Sequence, residues 1–265
     1  MKQEILKYDS VEISFEKRPV VHDISFSLHE GEILALVGES GSGKSTLIRS
    51  ALGLLNDNGS VTKGEIYYKG TNLLSLKEKD MCQIRGAEIG MIFQDAKGSL
   101  CPIRTIGDQI LESMSAHNKV NKAEAKAKSL ELFEKLSFKD GEKIWNSYPF
   151  ELSGGMNQRA GIAISMLLNP SILFADEPTS ALDVAVQKQV VDEMLALREL
   201  FGTAIIIVTH DISVASAMAD TVLVLKDGYQ MEYGPAKEIL HNPSSDYTKL
   251  LLSAVPRLRK RQEIV

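Results

Sequence analysis

The sequence predicts an α/β fold: a mostly parallel sheet with helices on both faces, an antiparallel β-subdomain and an inserted α-helical subdomain. Three observations predict it. Short, largely β-branched apolar runs alternate with helix-like segments, as in parallel sheets whose strands are buried on both faces. Residues 3–30 instead alternate apolar and polar side chains, which is typical of half-exposed antiparallel strands. Residues 96–168 carry mainly helical patterns.

The strands are predicted from apolar runs that have glycine, proline or polar turn residues at their ends. In chain order these runs are 11–15, 24–28, 32–37, 64–70, 88–93, 170–177, 203–210, 220–225 and 229–233. Gly64 and Gly70 are expected to bound the fourth strand. The last two strands should pair around the turn Lys226-Asp227-Gly228.

Helices are predicted between these strands from the spacing of apolar residues. Residues 121–136 place an apolar face among lysines and glutamates, and Asn121 can cap the helix. Further helices are expected after residue 46, at 160–168 and at about 184–200.

Length alone leaves the domain count open, and no internal repeat or low-complexity segment is visible. We expect one domain, residues 1–265. Within it, residues 1–95 and 169–265 form the core with its β-subdomain, and residues 96–168 form the helical subdomain.

The composition fits a soluble globular protein, with 44% hydrophobic residues, 25% charged residues and a net charge of -5. This balance gives no electrostatic reason to expect nucleic acid as a partner. The two cysteines, Cys82 and Cys101, lack metal-site spacing and fit a reducing cytosol. The chain shows no signal peptide, and its apolar runs are far shorter than the roughly 18–20 residues of a membrane span. We therefore expect it to reach a membrane only by docking on another chain.

Residues 38–46 match the phosphate-binding pattern G-x-x-x-x-G-K-S/T between a predicted strand and a predicted helix, which indicates a P-loop NTPase core. Glycines let successive backbone N–H groups curl around phosphate oxygens, and the next helix points its positive end at them. Lys44 should hold the outer phosphates, and the Ser45 hydroxyl should hold magnesium. The alternative is a flexible glycine-serine turn. The predicted nucleotide contacts of this loop are Gly38, Glu39, Ser40, Gly41, Ser42, Gly43, Lys44, Ser45 and Thr46.

Asp176 and Glu177 end an apolar strand at the carboxyl edge of the sheet, where ligands of open α/β folds bind. Asp176 is predicted to hold magnesium, directly or through water. Glu177 is predicted to polarise the water that attacks the γ-phosphate. The alternative is a helix N-cap followed by an acidic first turn, with which Pro178 is compatible.

Ser153, Gly154 and Gly155 open an apolar helix and form a second candidate anion site from a hydroxyl, bare amides and a helix N-terminus. One bound ATP does not need two anion sites from the same chain. We therefore expect two subunits to meet head to tail, each covering the phosphate loop of the other. The alternative is an ordinary helix cap.

Together, these motifs resemble the ATPase of ABC transporters in order and approximate spacing. The resemblance implies that Gln94 links magnesium and the attacking water to the helical subdomain. It also implies that Asp183 couples the two sites across the dimer and that His210 contacts the γ-phosphate. Phe15 matches the aromatic residue that stacks on adenine, and its alternative is a core aromatic. The matching segments are 38–46, Gln94, 152–155, 172–177, 180–183 and His210.

Three segments and Met156 resemble the ATPases of oligopeptide, dipeptide and nickel importers. The segments are 84–94, 99–102 and 242–251. Cys101 replaces the usual Asn, and Ser245-Asp246 stands where His-Pro is common. Many relatives end in a cysteine-bearing extension thought to hold an iron–sulfur cluster. No cysteine follows Cys101, so we expect no cluster.

The resemblance implies the ATP-binding and ATP-hydrolysing subunit of an ABC importer for peptides or nickel, at the cytoplasmic face of the membrane. Its implied partners are a second ATPase subunit, favoured as a different chain, two permease subunits and, indirectly, an extracellular substrate-binding protein. An ABC exporter subunit has the same motifs and remains an alternative. A non-transport ABC ATPase is disfavoured, because neither long coiled coils nor a second cassette occurs. A GTPase would need Asn-Lys-x-Asp, whereas Asn118-Lys119-Val120-Asn121 ends in Asn.

Overall fold

A computed structural model describes residues 2–56, 58–180 and 182–253, which contain ten strands and eleven α-helices. The strands are β1 Glu4–Phe15, β2 Arg18–His29, β3 Ile33–Val37, β4 Gly59–Tyr68, β5 Thr71–Asn72, β6 Ile89–Ile92, β7 Ile172–Asp176, β8 Ala204–Thr209, β9 Thr221–Lys226 and β10 Tyr229–Pro235. The helices are α1 Lys44–Ala51, α2 Glu78–Ile84, α3 Ala96–Ser99, α4 Ile106–Ser115, α5 Lys122–Lys135, α6 Gly141–Asn146, α7 Gly154–Met166, α8 Val184–Phe201, α9 Ile212–Met218, α10 Ala236–His241 and α11 Asp246–Ser253.

The ten strands form one mixed sheet in the order β5-β4-β1-β2-β10-β9-β3-β8-β7-β6. Neighbours from β9 through β3, β8 and β7 to β6 are parallel, and β5, β4, β1 and β2 are antiparallel. β10 joins the two parts, because it pairs antiparallel with β9 and parallel with β2 through Tyr229 and His22. The predicted α/β class is confirmed, and the antiparallel strands extend the parallel core instead of forming a separate sheet.

Apolar side chains pack on both faces of this sheet in two clusters. On β3, Ile33, Ala35 and Val37 join one cluster, while Leu34 and Leu36 join the other. All five side chains are buried. Successive residues of a strand point to opposite faces, so burial on both sides requires a continuous apolar run. This is the reason that the phosphate-loop strand reads as unbroken hydrophobic sequence.

The helices α3 to α7 fill the segment between β6 and β7, as the helical pattern predicts. Asn121 caps α5, and its side chain and that of Glu124 form the reciprocal hydrogen bonds of a capping box. Helix α7 begins at Gly154, where the serine and two glycines were expected to open it, and it includes residues before the apolar run predicted at 160–168. The Ser153 side chain caps this end, so the glycines are the first helical residues.

The expectation that Gly64 bounds a strand is wrong. β4 begins at Gly59 and continues through Gly64, where the register against β1 shifts between Asp9 and Glu12. Gly64 has a φ of 79°, and a Cβ on it would lie 2.3 Å from the Ser10 carbonyl oxygen. The glycine therefore permits a bulge inside the strand rather than ending it.

Candidate functional site

The phosphate loop connects the buried strand β3 to α1 and is held by close backbone contacts. A Cβ on Gly38 would lie 2.1 Å from the Leu225 carbonyl oxygen. Gly43 occupies the N-cap of α1 with a left-handed φ of 96°, and a Cβ there would lie 2.9 Å from Val21. Larger residues would have to move the adjoining strands. These glycines therefore shape the loop through steric fit as well as backbone freedom.

Lys44 places a buried ammonium group against the loop. Its residue is only 4% exposed. Its Nζ donates to the carbonyl oxygens of Gly38 at 2.8 Å and Glu39 at 2.6 Å, and to Ser42 Oγ at 3.2 Å. Burial lowers the pKa of Lys44. The loop thus holds a positive charge at the N-terminus of α1, as binding of an anion there requires.

Around Lys44, the loop presents both exposed and buried residues. Glu39, Ser40 and Gly41 are exposed, Ser42 is buried, and Thr46 is half-buried.

Asp176 is fully buried at the end of β7 and receives two side chains from α1. Ser45 Oγ donates to its Oδ1 at 2.5 Å, and Arg49 donates to its Oδ2 at 2.9 Å. Residues four apart lie on one helix face, which brings both donors to the carboxylate. The predicted pair of Ser45 and Asp176 is therefore in direct contact. Arg49 was missed, and its spacing from Ser45 was the available signal.

The three predicted catalytic residues meet at the Glu177 carboxylate. Gln94 Nε2 donates to Glu177 Oε2 at 3.2 Å, and His210 Nδ1 lies 3.4 Å from the same oxygen. Gln94 follows β6, Glu177 follows β7 and His210 follows β8, so parallel neighbouring strands deliver all three to one edge.

The backbone turns sharply at Glu177. Its φ of 46° is left-handed, which is uncommon for a residue other than glycine and is concentrated at functional sites. Ser180 closes the turn, since its N–H and its hydroxyl both donate to the Glu177 carbonyl oxygen. Beside this turn is a cavity of about 230 Å³. Its lining residues are Glu177, Thr179, Ser180, Leu182, Gln187, Thr209, His210 and Asp211.

Ser153, Gly154 and Gly155 lie at the first turn of α7. Ser153 Oγ accepts the Met156 N–H at 3.3 Å, which is the capping contact proposed as the alternative for this motif. A Cβ on Gly154 would meet nothing within 4 Å, whereas one on Gly155 would lie 2.7 Å from Val186 Cγ1. Among the described residues, no hydrogen bond joins this turn to the phosphate loop.

Asp183 also caps a helix within its own chain. Its Oδ1 accepts the N–H groups of Ala185 and Val186, each at 3.0 Å, at the start of α8. Gly155 lies so close to Val186 that the start of α7 contacts the start of α8.

Phe15 ends β1 and pairs with Gly59 of β4. Its ring is partly buried against the cluster that contains α1, and a Cβ on Gly59 would lie 2.6 Å from Phe15 Cε1. Phe15 therefore packs partly as a core aromatic, which was its alternative role, and part of its ring remains exposed.

Comparison with known families identifies the protein class. The family model described as ABC transporter matches residues 21–180, which include the phosphate loop, the α7 turn and the Glu177 edge. The chain belongs to the ABC transporter family. A second family model, the C-terminal region of oligopeptide/dipeptide transporters, matches residues 231–265.

Curated relatives in this family are similar over nearly the whole chain. A dipeptide transport ATP-binding protein, DppD of Lactococcus lactis subsp. cremoris (strain MG1363), is 42% identical over 96% of this chain and 74% of its own length. The metal-staphylopine import system ATP-binding protein CntD of Staphylococcus aureus (strain Mu50 / ATCC 700699) is 38% identical, over 96% of this chain and 93% of its own length.

A solved structure of an ABC cassette shows the same fold. The dimeric post-hydrolysis state of the cassette MJ0796, bound to ADP and Pi, superposes with a TM-score of 0.76. Its sequence is 28% identical, and the match covers 88% of this chain and 99% of that cassette. The described residues of the present chain contain no helix with both the length and the apolar character needed to cross a membrane.

The predicted family, enzyme class and subfamily are confirmed. The chain is the ATP-binding subunit of an ABC importer of the oligopeptide/dipeptide type, and it hydrolyses ATP to drive transport. ABC cassettes bind ATP or ADP, dimerise and work with membrane subunits of the transporter.

Proposed function

We propose that this chain hydrolyses magnesium-bound ATP at the Glu177 edge and thereby powers uptake of peptides or of a chelated metal such as nickel. The observation that carries the proposal is the meeting of Gln94 and His210 on Glu177, next to the contact between Ser45 and Asp176. The names of the relatives, one a dipeptide transport protein and one a metal-staphylopine import protein, support these two substrate classes.

The phosphate loop would bind a nucleoside triphosphate. Lys44 would bind the outer phosphates, because its ammonium already lies in the curve of the loop. Backbone N–H groups of the loop from Gly38 to Thr46, other than that of Glu39, would surround the phosphates. Phe15 would stack on adenine with the exposed part of its ring. Together these contacts would position the terminal phosphate near the Glu177 edge.

The chemistry of the donor set fits magnesium. Ser45, Asp176 and Gln94 would hold it, since they offer the hydroxyl, carboxylate and amide oxygens that this cation prefers. When bound, magnesium would neutralise charge on the phosphate oxygens. Arg49 already contacts Oδ2 of Asp176, so it would fix the orientation of that carboxylate.

Glu177 would act as the general base. Its carboxylate is oriented by Gln94 and by His210, and its residue is mostly buried. From this position Glu177 would accept the proton of the attacking water, while His210, which is 61% exposed at its side chain, would reach the γ-phosphate.

The open space at Gly154 supports a partner in trans. Two chains meeting head to tail would place Ser153, Gly154 and Gly155 of one subunit over the phosphate loop of the other, with Asp183 at the contact. ATP would then touch two subunits in the closed state and one in the open state, which is the differential binding that drives closure. We propose that the partner ATPase is a different chain.

In the same proposal, the segment 96–168 forms a helical subdomain, and closure and reopening of the ATPase pair would drive a membrane partner through a groove beside it. Two permease subunits would complete the transporter. The chain would lie at the cytoplasmic face of the membrane, with an extracellular binding protein delivering the substrate. A gene for a binding protein beside two permease genes would support import, and their absence from the neighbourhood would weaken it.

The substitution Glu177→Gln tests the catalytic assignment. We expect ATP binding to persist while turnover falls by roughly 10² to 10⁴, the usual contribution of a general base. Equilibrium titration and steady-state phosphate release measure the two quantities. Hydrolysis close to that of the unsubstituted protein would remove Glu177 from this role.

The substitution Ser153→Arg tests the arrangement in trans. We expect it to abolish hydrolysis and to leave ATP affinity of the isolated chain unchanged, because its target belongs to another subunit. Loss of ATP binding by the isolated variant, with its fold intact by circular dichroism, would show that the assignment in trans is wrong.

A further inference from the structure

Helix α11 contacts the phosphate loop through the side chain of Tyr247. The hydroxyl oxygen of Tyr247 accepts the backbone N–H of Glu39, with 3.4 Å between the two heavy atoms. Tyr247 is 7% exposed, and the Lys226 ammonium lies 4.9 Å from the centre of its ring. The two bonded residues are 208 positions apart in the sequence. Nothing in the sequence motifs connects them.

The turn before α11 is anchored on the sheet. Glu232 of β10 accepts the N–H and the hydroxyl of Ser244, at 2.7 and 2.9 Å, and the N–H of Ser245 at 3.3 Å. Burial by itself would raise the pKa of Glu232, but hydrogen bonds, that of the Ser244 N–H foremost, outweigh burial and lower it. The carboxylate thus fixes the start of the helix that carries Tyr247.

Two further backbone contacts hold the phosphate loop, and both come from residues 225–228. The Gly228 N–H donates to the Ser42 carbonyl oxygen at 3.2 Å. The Leu225 carbonyl lies so close to Gly38 that no side chain fits between them. Tyr247 is the member of this set whose contribution a side-chain substitution can remove.

We propose that Tyr247 is a positioning residue for ATP binding. Its contact with Glu39 holds the phosphate loop in the shape that binds ATP. The inference rests on the proposed nucleotide site. Tyr247 touches the loop from outside, at Glu39, so it leaves the inner N–H groups and Lys44 available to phosphate. A loop that samples other shapes binds its ligand more weakly, in proportion to the fraction of time it is competent. Tyr247 therefore couples the C-terminal region, residues 231–265, to the affinity for ATP.

The test compares Tyr247→Phe with Tyr233→Phe in the full chain. Tyr233 also lies in the C-terminal region, and its hydroxyl accepts the Ser27 N–H at 3.3 Å and donates to the Ser27 carbonyl oxygen at 3.1 Å. Both substitutions remove one hydroxyl bonded to backbone, but only one of these hydroxyls contacts the phosphate loop. ATP affinity is measured by equilibrium titration, and amide hydrogen exchange is measured on a peptide that contains Glu39.

We expect Tyr247→Phe to raise the dissociation constant for ATP roughly two- to tenfold, the effect of one lost hydrogen bond. Exchange at the Glu39 peptide should accelerate, and Tyr233→Phe should change neither quantity. Equal affinity and equal exchange in Tyr247→Phe and unsubstituted protein would overturn the proposal. Equal losses in both variants would also overturn it, since they indicate a general effect on stability. Failure of the unsubstituted chain to bind ATP would instead refute the proposed nucleotide site.

Discussion

Adding a methyl group to Gly154 separates the effect of the α7 turn on folding from its effect on hydrolysis. Gly154→Ala places a Cβ where no heavy atom lies within 4 Å. The residue is helical in α7, so alanine should stabilise the fold by roughly 0.4–1 kcal/mol by restricting the unfolded chain.

The same methyl group should impair hydrolysis. In the proposed closed pair, it would stand between the bare N–H groups of this turn and the phosphates bound to the other subunit. Loss of one hydrogen bond to a charged group costs roughly 1.5–3 kcal/mol, which corresponds to roughly a 10- to 100-fold lower rate. ATP affinity of the isolated chain should not change, because Gly154 makes no hydrogen bond to its own phosphate loop.

Gly155→Ala is the matched comparison. Its Cβ would lie 2.7 Å from Val186 Cγ1, so overpacking of roughly 1–3 kcal/mol should outweigh the same gain from alanine. Urea denaturation measures stability, and phosphate release by the assembled ATPase pair measures hydrolysis. Normal hydrolysis by Gly154→Ala would refute the proposal that the α7 turn of one subunit contacts the phosphates bound to the other. Equal stability losses in the two variants would refute the packing argument.

Two more predictions concern contacts outside the α7 turn. Gly38→Ala should destabilise the fold by about 3 kcal/mol or more, because the new Cβ would lie 2.1 Å from the Leu225 carbonyl oxygen. Gly41→Ala, which meets no atom within 4 Å but has a φ of 83°, should cost only about 1–2 kcal/mol, and urea denaturation that ranks them in the opposite order would contradict this. Glu232, whose pKa is lowered in the folded state, contributes stability that is present above its usual value near 4.5 and is lost as pH falls through the lower folded value. The stability difference between the unsubstituted protein and Glu232→Gln should therefore shrink between pH 7 and pH 3, and a constant difference would exclude this linkage.

Local signals predicted most of the elements. Asn121 caps α5 as its side chain and position indicate, and the apolar run before the phosphate loop is a strand buried on both faces. Gly64 shows the limit of such signals. A glycine in a strand pattern is compatible with an end or with a bulge, and only the register of β4 against Ser10 of β1 decides between them.

The candidate site was predicted less completely. The position at the end of an apolar strand indicated Glu177, family resemblance indicated Gln94 and His210, and the structure brings all three together. The sequence could not reveal that Arg49 pairs with Asp176 or that Tyr247 contacts Glu39. Both contacts depend on packing between segments that share no motif.

The sequence by itself determined the chemistry of the phosphate loop, since a short run of glycines followed by Lys44 and Ser45 encodes its backbone shape and its charges locally. The tertiary structure decided which distant side chains surround that loop. Strand order places the ends of β6, β7 and β8 at one edge, and the docking of α11 places Tyr247 against Glu39. The physical reason is range: backbone preference acts over a few residues, whereas contacts across 127 or 208 positions exist only after burial of apolar surface has fixed the order of the sheet.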